Sequence, residues 1–179
     1  FIHPFDDALL WEGHASMIDE VARSSVRPDA VVVSVGGGGL LSGVVKGLQR
    51  NGMADVPVIA VETEGAASLH AAIAAGHTVE LDRLSSVASS LGAKRVCEQA
   101  MQCTRTHPVH SMLVSDKSAL TACERFLTDH RILVEPACGA SLAVVYDHPP
   151  QLSAYKDILV VVCGGATATI DQIRAWAAA

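Results

Sequence analysis

The sequence predicts an α/β fold built on an open, mostly parallel, doubly wound sheet. Three observations point there. Short β-branched runs alternate with stretches of helical periodicity. Half of the 179 residues are hydrophobic but only 4% are aromatic, so the apolar content is aliphatic, as in strands covered by helices on both faces. A strand, a glycine turn, a helix and a second strand also follow one another early in the chain as a βαβ unit.

Taken in order, residues 1 to 13 read as loop, with Pro4, the Asp6-Asp7 pair and Gly13. An amphipathic helix follows to about Arg23, with Ile18, Val21 and Ala22 on its apolar side. After Pro28-Asp29, the run from Ala30 to Val35 suits a buried parallel strand. Gly36 to Gly39 then opens a helix from Leu40 to about Arg50, and Asn51-Gly52 ends it. Val58 to Val61 is the next strand, closing on Glu62. A small-residue helix covers Ala66 to Ala75, an irregular stretch runs through Leu91-Gly92, and a helix spans Lys94 to about Arg105. The strand Met112 to Val114 precedes Ser115, a good N-cap for a helix that carries Leu120, Cys123, Phe126 and Leu127 at helical spacing. Ile132 to Val134 reads as a strand, Ala140 to Tyr146 as a helix and Ile158 to Cys163 as the last strand, before Gly164-Gly165 and a terminal helix.

Composition narrows the function classes. A net charge of −6, with Lys and Arg scattered singly, argues against a nucleic-acid partner, which needs a basic stripe. The longest apolar runs, such as Ile158 to Cys163, are too short to span a bilayer, so no membrane partner is expected. Five irregularly spaced cysteines without a leader segment suggest a reduced, cytoplasmic protein. His107-x-x-His110 and the pair Cys97 and Cys103 lack the paired spacing of a zinc site, and no G-x-S-x-G elbow is present. The chain opens on Phe1-Ile2-His3-Pro4-Phe5 and reads as the middle of something, a fragment, processed product or truncated gene.

The glycine loop carries the chemistry. Four consecutive glycines between a buried strand and a helix are costly in chain entropy, and a tight crossover needs only one or two. The remaining reason is a backbone that must approach a ligand, here at a helix N-terminus where amides and the helix dipole favour phosphate. Gly37-x-Gly39-x-x-Ser42 nearly matches a dinucleotide fingerprint, and Glu62 stands where a ribose-binding acid would. The third position, however, is Ser42 rather than Gly or Ala. Phosphate is supported; a dinucleotide is not.

Those residues resemble a known family. Ser34-Val35-Gly36-Gly37-Gly38-Gly39-Leu40 is similar to the tetraglycine phosphate cradle of fold-type II pyridoxal-phosphate enzymes. Pro4-Phe5-Asp6-Asp7 and Trp11-Glu12-Gly13-His14-Ala15-Ser16 resemble the segment upstream of that cradle in liver-type L-serine/L-threonine dehydratases. Residues Ile132 to Ala140 (ILVEPACGA) and Val161 to Gly165 (VVCGG) resemble two further blocks, in the right order. The resemblance covers essentially the whole chain.

It implies that residues 1–179 form the cofactor-binding large-domain portion, without the small domain. The amides of Gly36, Gly37, Gly38, Gly39 and Leu40 would hold the phosphate of pyridoxal 5'-phosphate. Cys163 would face the pyridine nitrogen as a neutral partner, and Ser90 would lie against one cofactor face, where the liver enzymes carry alanine. Glu62, Ser68 and the carbonyls of Gly36, Ala66, Leu91 and Ala93 would bind a potassium ion through hard oxygen ligands. The family's Schiff-base lysine lies in an upstream segment that nothing here matches. Lys46, Lys94, Lys117 and Lys156 all read as surface charges, so no catalytic residue is assigned and the upstream part of the protein is needed. The implied activity is β-elimination of L-serine or L-threonine, an amino-acid substrate, in a homodimer. Serine racemase or threonine synthase chemistry and a non-catalytic fragment remain alternatives.

Overall fold

A computed structural model describes residues 2–178. Its sheet contains four parallel strands in the order β3-β2-β1-β4: β1 is Ala30–Ser34, β2 Val58–Thr63, β3 Val109–Val114 and β4 Ile158–Val160. Val31 to Ser34 pair with Val58 to Val61, and Ala30 to Val32 pair with Ile158 to Val160. The helices are α1 Ala8–Arg23, α2 Gly39–Arg50, α3 Ser68–Ala75, α4 Glu98–Thr106, α5 Asp116–His130, α6 Pro136–Asp147 and α7 Ile170–Ala177.

Strand alternation sends successive side chains to opposite faces, and two cores follow from it. Val31, Val33 and Val35 join Val58 and Ala60 in one cluster with Ile18 of α1, Leu41, Val44 and Leu48 of α2, and Ala100 of α4. Val32, Ile59 and Val61 join the other, with Ala119 of α5 and Ala137, Ala140 and Val144 of α6. Helices therefore cover both faces, and the doubly wound expectation holds. A third cluster ties α5 and α6 to Ile173 of α7.

Four local expectations need correction. Helix α1 begins at Ala8 because Asp7 caps it, its carboxylate accepting from the Leu9 amide at 2.8 Å. Helix α4 starts only at Glu98, after Cys97 in extended conformation. The segment Ile132 to Val134 is not a strand. Arg131 ends α5 in the left-handed region at φ 61°, Pro136 is already the first residue of α6, and Ile132 is 52% exposed. Three residues between two helix ends find no ladder partner. The last strand stops at Val160, although the Val161 amide still reaches the Val32 carbonyl at 2.9 Å.

Glycines at four-residue spacing on α2 let neighbours come unusually near. A Cβ on Gly39 would meet the Phe5 carbonyl oxygen at 2.6 Å, one on Gly43 the Trp11 carbonyl at 2.8 Å, and one on Gly47 the Ile18 side chain at 2.7 Å. Residues four apart share one helix face. This stripe seats α1, and the segment before it, against α2.

Candidate functional site

A cavity of about 300 Å³ opens where β1 gives way to α2. That position, beyond the carboxyl ends of the strands, is where open α/β sheets bind ligands. Gly36 to Leu41 form one end, Cys163 with Glu135 and Ala137 the other, and Phe5, His14, Ser34 and Ser90 complete the wall.

The glycine end is built for an anion. Gly38 caps α2 in the left-handed region at φ 92°, ψ 2°, with no side-chain cap. Among the described residues, no protein group accepts from the amides of Gly36 to Leu40. The turn is held from outside, because the Cys97 amide donates to the Gly37 carbonyl at 2.9 Å. Side chains would obstruct it: a Cβ at Gly37 would run into the Phe5 ring, and one at Gly38 into Ala100. Phe5 is fixed in turn by Trp11, whose indole Nε1 donates to the Phe5 carbonyl at 2.8 Å.

Cys163 is the one exposed cysteine of five, the other four being buried and all unpaired. Desolvation at the cavity wall, then the neighbouring Cys138 and Glu135, push its thiol up to about 11. Exposure tempers that push without reversing it, so the group is neutral at physiological pH. Ser90 lies in a 3₁₀ turn, Ser89–Leu91, packed so near the loop that a Cβ on Gly36 would meet the Ser90 carbonyl and Leu91 Cα at 3.1 Å.

The remaining residues group at the end of β2. Glu62 is fully buried and accepts from the amides of Leu69 and His70 at 2.7 and 2.8 Å, at the start of α3. Burial raises its carboxyl to about 7 despite those two bonds. Ser68 is likewise fully buried, and its hydroxyl has no partner. Ala66 closes a 3₁₀ turn, Glu64–Ala66, and Leu91 is buried. A buried, unpartnered hydroxyl beside a buried carboxylate leaves oxygen valences for a cation to satisfy. The Leu91 carbonyl also receives the Ala93 amide at 2.8 Å; the Ala93 carbonyl lies in the same turn.

The model of the pyridoxal-phosphate dependent enzyme family matches residues 1–164. The chain belongs to that family. Its cofactor is pyridoxal phosphate, and the cavity fits it: free amides at one end, a neutral thiol at the other and a loop with no room for side chains. Among pyridoxal-phosphate enzymes, human L-serine dehydratase/L-threonine deaminase is 49% identical over 98% of this chain and 56% of its own length. Dictyostelium discoideum L-serine dehydratase is 40% identical over 97% of the chain and 53% of its length. A fungal L-serine ammonia-lyase from Rhizomucor miehei superposes with a TM-score of 0.93 at 36% identity, covering 97% of this chain and 58% of that one. The chain thus spans about half the length of these relatives.

Among the described residues, no lysine lines the cavity. Lys46 instead pairs with Glu12 at 2.6 Å, and Lys94 donates to the Asp82 carbonyl at 3.1 Å. His14, Ser34 and Glu135 line the cavity without having been assigned a role from sequence. Ser34 was legible as the end of the strand that leads, through Val35, into the glycine run. Glu135 sits just before Pro136, and only the fold brings that helix start to the cavity.

Proposed function

We propose that the protein to which this chain belongs deaminates L-serine and L-threonine, giving pyruvate or 2-oxobutyrate and ammonia. The observation that carries this is one cavity of about 300 Å³ lined both by the glycine loop, with its unbonded amides, and by Cys163. The names of the most similar relatives supply the reaction class.

In this reading residues 1–179 are the cofactor-binding large-domain portion. The amides of Gly36, Gly37, Gly38, Gly39 and Leu40 bind the phosphate through the helix-terminus field. Cys163 meets the ring nitrogen, and Ser90 lies against one face. When bound, pyridoxal phosphate supplies the electron sink for loss of the α-proton. A protonated thiol opposite the ring nitrogen stabilises ring charge less than a carboxylate would, which suits expulsion of a β-hydroxyl that carries charge away. The lysine that holds the cofactor comes from the rest of the protein, since none of the four here reaches the cavity. Glu62, Ser68 and the carbonyls of Gly36, Ala66, Leu91 and Ala93 would hold a potassium ion, which would satisfy the unpartnered Ser68 hydroxyl. Five free cysteines support a cytoplasmic location, and we propose a homodimer, as the family resemblance implies.

The test is a coupled assay on the protein at the full length of its relatives. L-Serine should release pyruvate without D-serine, and replacing potassium by tetramethylammonium should depress the rate. D-Serine as the main product would assign a racemase instead.

A further inference from the structure

We propose that Glu135 is a positioning residue for the Cys163 end of the cavity, clamping the turn from Cys163 to Thr167 onto the start of α6. The proposal rests on the reading that this end receives the coenzyme ring, and it names a side chain that acts through Cys163.

The clamp has three points. The Glu135 amide donates to the Gly164 carbonyl at 3.0 Å. The Glu135 carboxylate accepts from the Thr167 amide at 3.4 Å and also from the Thr167 hydroxyl. Gly165, at φ 123°, has its Cα against the acid: a Cβ there would sit 2.5 Å from the Glu135 carboxyl carbon. Only glycine passes there, since that φ disfavours any side chain.

The acid is otherwise hard to account for. It is 9% exposed, and no Arg or Lys bonds to it among the described residues. Its bonds all go to one short turn. Glu135 also stands at the N-cap position of α6 without capping that helix through its side chain, so the carboxylate is turned away from its local partners and towards the turn. A buried carboxylate needs its oxygens satisfied, and here the satisfaction fixes Thr167, two positions after Gly165. The consequence is orientation. Residues 161 to 167 contain two positive-φ glycines, Gly164 and Gly165, and no regular structure after Val160. Upstream of the thiol the segment is held at Val161, whose amide bonds the Val32 carbonyl and whose carbonyl accepts from Ser141; downstream of it the Glu135 bonds are the anchor.

Alkylation of Cys163 reads this directly, because the other four cysteines are buried and report in the same sample whether the fold survives. In the protein without added coenzyme, Glu135→Ala should raise the Cys163 iodoacetamide rate by about tenfold, by freeing the turn and removing a charge that opposes the thiolate. Glu135→Gln, which keeps an acceptor for Thr167, should raise it by only about threefold. A wild-type rate in Glu135→Ala overturns the proposal. If that variant exposes all five cysteines, Thr167→Val decides: faster alkylation confined to Cys163 supports the clamp, and an unchanged rate overturns it. Pyridoxal phosphate should protect Cys163 in the wild type. Absence of protection would remove the ring from this end while leaving the clamp result standing.

Discussion

His107 shows how much a single buried side chain can dictate. It is 5% exposed, its Nε2 lies 2.8 Å from the Val56 carbonyl and so carries the proton, and its Nδ1 is buried without a partner. Burial lowers its pKa from the ordinary 6.5, with the Val56 bond and Asp55 opposing. A histidine depressed in the folded state binds fewer protons than the unfolded chain does near pH 6. Its contribution to stability is therefore present above 6.5 and is lost as pH falls from there through the folded value. Glu62, raised to about 7, contributes a slope of opposite sign over the same range. The His107 share is therefore read between pH 7.5 and 5 as a drop of wild type relative to His107→Gln, with a limiting slope of about 1.4 kcal/mol per pH unit for one proton. Equal slopes in the two proteins would assign the pH dependence to another group. His107 was legible in the sequence only as half of His107-x-x-His110, and in the fold its ring is bonded to the Val56 carbonyl. His110 points to a different, exposed cavity with His70 and Tyr155.

At the scale of elements, the glycine stripe of α2 does two jobs along one face. Its first member touches the segment that shields the phosphate loop, and its last touches only α1 packing. Gly47→Ala should destabilise the protein by about 1–3 kcal/mol, as overpacking does, and leave affinity for inorganic phosphate intact. Gly39→Ala should weaken phosphate binding by more than about tenfold, because Phe5 must move and the cradle opens. Calorimetric titration with phosphate, beside thermal melting, separates the two; equal losses in both variants would refute the division of labour. The stripe could have been read from Gly39, Gly43 and Gly47, spaced at four, but the eye is drawn to the run of four that precedes it. Strand β1 and the loop were legible because burial and glycine sterics act locally. Ile132 to Val134 misled because a short apolar run carries no period, and its fate was set by where α5 and α6 end. Asp7 was read as loop, with Pro4, Asp6 and Gly13, although Asp is a favoured N-cap and the helix runs through Gly13.

For the whole molecule, the residues that line the cavity converge although their sequence positions span Pro4 to Cys163. That convergence follows from strand order: β1 and β2 are neighbours and β4 returns beside β1, so the segments after all three emerge on one rim. The order could not be read from propensities, since every alternation of strands and helices permits several. Only the resemblance to a known family linked Cys163 to the glycines.

The two ends of the cavity also belong to different halves of the interior. The glycine end is backed by the layer of α1, α2 and α4, whereas the Cys163 end leans on α5, α6 and α7 through Glu135 and the packing of Ala168. A molecule long enough to touch both is therefore a cross-tie between layers packed on opposite faces of the sheet. Inorganic phosphate should slow amide hydrogen exchange in α2 alone, while the intact coenzyme should slow it in α2 and α6 together. If coenzyme protected no more of the chain than phosphate does, the two layers would be breathing independently and the bridge would not exist.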